Sequence, residues 1–88
     1  MEYKGIKLNG LKRLYGAVLI ELEGEKAEMS LEWIESYGDK VTILDYVLVF
    51  DFTPVGEEKR VQKVLSFSSK EELIQEMQEV ANFFEAHQ

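Results

Sequence analysis

The chain has 88 residues, no cysteine, and 17 acidic against 10 basic side chains, which gives a formal net charge of −7. This length suits one domain, so we expect residues 1–88 to form a single unit. The lack of cysteine excludes disulfides and thiolate metal sites and suits a reducing compartment. No apolar leader or membrane-length run occurs, so we expect a cytoplasmic protein without membrane association.

The charge is unevenly distributed along the chain. Residues 1–15 contain four basic side chains and one acidic, whereas residues 16–88 contain six basic and sixteen acidic. A field of this sign repels phosphate, so a nucleic-acid partner is not expected, and it attracts cations and basic partners. The plainer interpretation is that the acidic surface keeps the protein soluble.

Turn residues divide the first three quarters of the chain into five alternating runs. Asn9-Gly10 predicts a type I′ hairpin turn, and Gly24-Glu25 and Gly38-Asp39 each fit a two-residue loop with glycine first. Residues 53–59 are predicted to form a longer loop. Alternation predicts strands on both sides of each turn, with residues 11–15 open to a helical alternative.

Two of these runs carry most of the strand prediction. In the third, Ala27, Met29, Leu31 and Trp33 would share one face. The fourth, residues 41–52, is apolar on both faces, which predicts a central strand covered on both sides.

The last element is predicted to be a helix. Ser69 and Glu72 fit a capping box with Ser69 as the N-cap, and Ser68 with Glu71 is an alternative one residue earlier. Four apolar residues follow at helical spacing and form a stripe that would bury against the sheet, with Glu76, Glu79 and Glu85 pointing away; the stripe is Leu73, Met77, Val80 and Phe84. The predicted fold class is α+β, an antiparallel five-strand meander with one C-terminal amphipathic helix packed on the sheet.

The inventory of catalytic side chains is small. The one histidine, His87, is the penultimate residue, and no nucleophile motif, zinc motif or glycine-rich nucleotide motif occurs. Without cysteine or a well-placed histidine, the Ser-His and Cys-His systems are excluded. We therefore expect no enzyme, no catalytic residue and no organic cofactor site.

Strand register brings carboxylates together on one face of the predicted sheet. With Gly24-Glu25 as the loop, Glu21 faces Glu28 and Glu23 lies diagonal to them. Counting from Gly38-Asp39, Glu32 faces Asp45. Directly opposed carboxylates destabilise a sheet, and a bound Ca²⁺ would remove the penalty. The candidate metal ligands are therefore Glu21, Glu23, Glu28, Glu32 and Asp45.

Such a site would be weak. Two carboxylates supply about four of the six to eight oxygens that Ca²⁺ takes, so the expected affinity is on the order of millimolar. The alternative is that the glutamates extend into water, where the repulsion costs a few tenths of a kcal/mol.

The small acidic chain, its strand-helix pattern and carboxylates such as Glu21, Glu28, Glu32 and Asp45 resemble a known group of proteins. The chain is similar to small, acidic, cysteine-free calcium-binding proteins of unknown role from archaea. The resemblance covers the whole chain and rests on no diagnostic motif. It implies an α/β domain with a carboxylate cluster that binds calcium.

The competing hypothesis is a protein-interaction module. Phe52, Pro54 and Val55 lie in the charged segment 51–63, and exposed apolar loop residues often mark a contact. Alternatively, Phe52 and Val55 cap the core. The basic side chains near the start, with Lys59, Arg60 and Lys63, could also meet the acidic face of a second copy, so a monomer or a weak dimer is expected.

Overall fold

The computed structural model describes residues 1–86, and His87 lies outside the described residues. Within these residues, six strands and two α-helices follow one another, with a short 3-10 helix at Gly38–Lys40. The strands are β1 (Glu2–Tyr3), β2 (Ile6–Lys7), β3 (Arg13–Leu22), β4 (Glu25–Ser30), β5 (Thr42–Asp51) and β6 (Gln62–Phe67). The helices are α1 (Leu31–Tyr37) and α2 (Lys70–Ala86). The α+β class and the C-terminal helix are confirmed.

The strands form two sheets, so the predicted five-strand meander is wrong. β1 and β2 make a separate two-stranded hairpin, and the other four strands are ordered β4-β3-β5-β6, all antiparallel. The chain passes from β4 through α1 to reach β5 on the far side of β3. β5 is a central strand as predicted, and its residues 47–50 are buried on both faces.

The first turn differs from the prediction because the hairpin closes earlier in the chain. Lys4 and Gly5 both have positive φ, which is the geometry of a type I′ turn. At Asn9-Gly10 only Gly10 has positive φ, and the Leu11 N–H donates to the Leu8 carbonyl. Asn9-Gly10 is therefore a turn between β2 and β3 and does not pair two strands. Residues 13–15 belong to β3, so the helical alternative for that segment is wrong.

The predicted third strand ends at Ser30, and a helix follows it. The Ser30 hydroxyl accepts a hydrogen bond from the Trp33 N–H at 3.3 Å and so caps α1. The helix buries Ile34 against β3 and leaves Trp33 exposed, so the predicted strand face shared by Trp33 with Ala27, Met29 and Leu31 is wrong. Gly38-Asp39 lies in the 3-10 helix that follows, and it is not a hairpin loop.

Helix α2 starts and packs largely as predicted. The Ser69 hydroxyl accepts from the Glu72 N–H at 3.2 Å, while the Glu72 carboxylate accepts from the Ser68 N–H, one residue earlier than in a standard capping box. The predicted apolar stripe lies in the main core cluster with Leu48 and Phe50. The outward position predicted for Glu76 is wrong, since its side chain is buried against the N-terminal hairpin.

Both helices lie on the same face of the large sheet. Gly16 marks this face, because a Cβ there would stand 3.0 Å from the Met77 sulfur and 3.3 Å from a Leu31 methyl. The other face is lined by strand residues, with Ala17, Val47 and Val49 at its centre and Tyr15 and Leu19 packed around them. The edge strands of the sheet are β4 and β6.

Candidate functional site

The predicted metal ligands on β3 and β4 do not oppose one another. The loop between these strands is Glu23-Gly24, with φ of 52° and 82°, and not Gly24-Glu25. The pairing therefore shifts by two residues, so that Glu21 faces Lys26 and Glu28 faces Leu19. Opposite charges now stand where like charges were predicted, and the premise of repulsion between Glu21 and Glu28 is wrong.

The second predicted pair is also separated. Glu32 lies in the first turn of α1, and Asp45 faces Leu19 on the central strands. A register shift after Leu19 leaves Leu44 without a partner in β3. Across residues 1–86, no three acidic or histidine side chains form a group suited to holding a metal ion. Calcium binding by Glu21, Glu23, Glu28, Glu32 and Asp45 stays a prediction.

An exposed aromatic pair on α1 lies at the β4 edge of the sheet. Trp33 is 57% exposed and Tyr37 is 43% exposed, and their ring centroids are 5.0 Å apart at an interplanar angle of 34°. Residues i and i+4 of a helix lie on one face, which is why the two rings meet. A tryptophan is usually well buried, so an exposed pair of this size is a candidate contact surface. We call Trp33 and Tyr37 the aromatic pair.

Acidic side chains border the aromatic pair on both sides. One shallow cleft beside Trp33 is lined by Glu32, Ser36 and Tyr37, and a second is lined by Glu28, Met29 and Ser30. Trp33 lines both clefts with one acidic residue in each, and the Glu28 carboxylate also interacts with the Tyr15 hydroxyl. Two of the five predicted cation ligands are therefore near each other, but around an aromatic ring and not around a metal position.

The Tyr37 ring already accepts a cation from its own chain. The Lys40 ammonium lies 5.7 Å from the ring centroid, within the distance at which the negative face of an aromatic ring attracts a cation. The Trp33 indole is the stronger acceptor of this type. For residues 1–86, no cation lies against the Trp33 ring.

One of two buried carboxylates, that of Glu76, has a structural role. Glu76 is only 5% exposed. The Tyr3 hydroxyl donates a hydrogen bond to its Oε2 at 3.0 Å, and the Lys4 ammonium lies 2.7 Å from its Oε1. Burial raises the pKa of Glu76, but the hydrogen bonds from Lys4 and Tyr3 outweigh it and hold the pKa below its ordinary value. This network fixes the N-terminal hairpin to α2.

A second carboxylate, that of Asp51, orders the loop between β5 and β6. Oδ1 accepts from the Thr53 N–H at 2.9 Å, and Oδ2 accepts from two nitrogens of Arg13 at 2.8 and 3.1 Å. The bonds to Thr53 and then Arg13 hold the pKa of Asp51 well below its usual range. In this loop Phe52 packs on the core as one alternative predicted, whereas Val55 is 97% exposed.

The sequence prediction missed the aromatic pair because it placed Trp33 in a strand. Ser30 is a good N-cap residue, and Leu31 and Ile34 have helical spacing, so a signal for α1 is present. The strict alternation from Ala27 to Trp33 fits a strand as well, and the helix has only seven residues. The apolar pattern of such a short segment is consistent with both the helical period and the strand period.

In residues 1–86, no helix has the length and apolarity needed to span a membrane. Neither the family models, the curated proteins nor the solved structures contain a match to this chain.

Proposed function

We propose that the protein is a non-enzymatic binding domain that contacts a basic segment of a partner protein through the aromatic pair. The observation that carries this proposal is the exposure of Trp33 beside Tyr37, with Glu28 and Glu32 in the flanking clefts. An arginine or lysine side chain would lie over the indole ring, and its charge would be balanced by the two carboxylates.

The energetics favour a cationic partner over a neutral one. A cation over an exposed aromatic ring is stabilised by about 0.5–1 kcal/mol. An exposed ion pair with each carboxylate adds up to about 1 kcal/mol, and both contributions weaken as salt rises. The net charge of −7 attracts basic chains toward the protein from a distance, which raises the association rate. Tryptophan and arginine are also the residues most enriched at binding hot spots.

Calcium binding is the second candidate, and the predicted ligands Glu28 and Glu32 belong to both. The aromatic pair favours a basic segment over calcium. Hard metal ions take oxygen ligands, so the two aromatic rings would not contribute to calcium binding. The Lys40 ammonium over the Tyr37 ring is an example, within this chain, of an organic cation held by one ring of the aromatic pair.

The experiment uses the single tryptophan as the reporter. A soluble arginine-containing octapeptide is titrated into the protein at low salt, with Trp33 fluorescence as the readout. We expect a saturable change in emission that weakens as the ionic strength is raised. Glu28→Gln and Glu32→Gln should each raise the dissociation constant about two- to fivefold, the equivalent of up to about 1 kcal/mol.

The matched control is Glu85→Gln, which removes the same charge from an exposed position on α2, away from the aromatic pair. It should leave the dissociation constant within about twofold of the parent value. Equal weakening by all three substitutions would mean that only net charge matters, and it would overturn the proposed site. So would an equal response to a peptide with glutamine in place of each arginine.

A further inference from the structure

A cleft at the β6 edge of the sheet is lined by basic residues, whereas the clefts beside the aromatic pair are lined by acidic ones. It has a volume of about 510 Å³ and lies between the N-terminal hairpin and β6. Its lining consists of Gly5, Ile6, Lys7, Asn9, Phe52, Val61 and Lys63. We propose that this cleft binds a small organic anion with an apolar body, such as an aromatic or branched aliphatic carboxylate, sulfonate or phosphate ester. We call it the lysine cleft.

The first argument is the distribution of charge. Residues 1–13 and 51–63 meet at this end of the protein, where the Lys12 N–H donates to the Asp51 carbonyl and the Phe52 N–H donates to the Val61 carbonyl. These two segments contain seven basic and four acidic side chains, whereas the rest of the chain contains three basic and thirteen acidic. Lys4 is paired with Glu76 and Glu79 from outside these segments, which reduces their net charge of +3 to a small positive excess around the cleft.

The second argument is that the lysines of the cleft are not used within the fold. Lys4 is paired with Glu76 and Glu79, and Arg13 is paired with Asp51. In the described part of the chain, neither Lys7 nor Lys63 lies within 4.0 Å of a carboxylate. Both ammonium groups are thus available to a ligand without breaking an existing ion pair.

The third argument is the apolar surface between the lysines. Ile6 and Phe52 are half-buried and Val61 is 48% exposed, so part of each side chain faces the cleft. Ligand sites combine an apolar lining with a few polar groups, and their volumes run from about 300 to 1,000 Å³. An ion such as sulfate would use the lysines but not this surface, and a neutral hydrocarbon would use the surface but not the lysines.

Both walls of the cleft are fixed by interactions already described. The hairpin wall is held by the bonds of Tyr3 and Lys4 to Glu76. The opposite wall is held by the bonds of Asp51 to Thr53 and by the Val61 N–H, which donates to the Thr53 hydroxyl at 2.9 Å. Because the walls are held without a ligand, binding requires little ordering of the chain, which favours affinity.

The test is an NMR titration of the isotopically labelled full chain with naphthalene-1-sulfonate, alongside 1-naphthol and inorganic sulfate. We expect the sulfonate to move the amide signals of residues 5–9, 52 and 61–63 in a saturable way. The naphthol and the sulfate should each bind at least tenfold more weakly. The naphthol lacks the anionic group, and the sulfate lacks the apolar body. A Lys7→Gln/Lys63→Gln variant should weaken sulfonate binding at least tenfold.

The matched control is Lys26→Gln/Lys40→Gln, which removes the same charge at positions outside the cleft. It should bind the sulfonate within about twofold of the parent chain. The proposal is overturned if both double variants weaken binding equally, or if the shifts centre on Tyr15, Leu19 and Val64 on the sheet face opposite the helices. This outcome is independent of the aromatic pair, which lies at the opposite edge of the sheet.

Discussion

Substitution of Tyr3 by phenylalanine isolates the hydrogen bond that ties the N-terminal hairpin to α2. The substitution keeps the ring, whose centroid lies 5.1 Å from that of Phe83 and 6.2 Å from that of Phe50. It removes only the hydroxyl that donates to Glu76. A hydrogen bond to a charged group contributes about 1.5–3 kcal/mol. We expect a loss of about 1.5 kcal/mol, the lower end, because Lys4 still binds the other carboxylate oxygen.

This loss is a large part of the stability of a chain of this size. A domain of 88 residues is stable by about 4–13 kcal/mol. A loss of about 1.5 kcal/mol should lower the melting temperature by about 6–12 °C. Urea unfolding followed by circular dichroism at 222 nm is the suitable assay, because the exposed Trp33 is a poor reporter of unfolding.

Two variants make the measurement specific. Tyr37→Phe removes a hydroxyl from an exposed tyrosine and should change the free energy of unfolding by less than about 0.5 kcal/mol. In a Glu76→Leu background the acceptor is gone, so Tyr3→Phe should there cost nothing or stabilise the protein. The reasoning is refuted if Tyr3→Phe costs less than about 0.5 kcal/mol in the parent chain, or if it costs the same in both backgrounds.

Three other outcomes can be checked on the same material. Gly16→Ala should destabilise by about 1–3 kcal/mol in urea, because its Cβ would press on Met77, whereas Gly38→Ala, with only ordinary contact to Ile34, should be close to neutral. Burial and the bond to Glu76 raise the pKa of Tyr3 to about 12. Stability should therefore be intact below the ordinary tyrosine pKa of about 10 and fall as pH rises toward 12, and ionisation of every tyrosine near pH 10 in an ultraviolet titration would contradict this. Calcium should bind no more tightly than about millimolar, and an NMR titration giving a dissociation constant below about 0.1 mM would show that the carboxylates converge more closely than they do here.

The strand register shows why the predicted metal site could not be checked from the sequence. Moving the loop from Gly24-Glu25 to Glu23-Gly24 shifts the β3-β4 pairing by two residues, and the side-chain period of a strand is also two. Ile20, Val18 and Met29 therefore share a face in both registers. The separation of apolar from polar residues between the two faces cannot distinguish the two registers. Only the pairing of charges changes, and it changes from repulsive to attractive.

The turn itself was also hard to place. A type I′ turn needs positive φ at both central residues, which glutamate rarely adopts, so Glu23 at 52° is not an obvious choice. The glycine of the turn is correctly identified, but glycine suits either the first or the second position. The position of the turn also depends on β5, because β3 pairs with β5 from Arg13 to Glu21.

Longer elements with one clear pattern were predicted well. The run at residues 41–52 becomes β5, the fifth alternating run, which follows the loop at residues 53–59, becomes β6, and Ser69 starts α2. Glu76 was misplaced because helical periodicity puts it at the border of the apolar stripe, and only the hairpin, which is distant in sequence, brings Tyr3 and Lys4 to it. Buried charge of this kind depends on tertiary partners, and periodicity carries no information about them.

The proposed binding of a basic segment by the aromatic pair is tested most directly at the Trp33 indole N–H, whose NMR signal is unique in this chain. An arginine-containing octapeptide should shift this signal together with the amides of residues 28–37, and the shifts should shrink in Glu32→Gln and disappear at high salt. A peptide that leaves the indole signal in place while moving signals elsewhere would contradict the account.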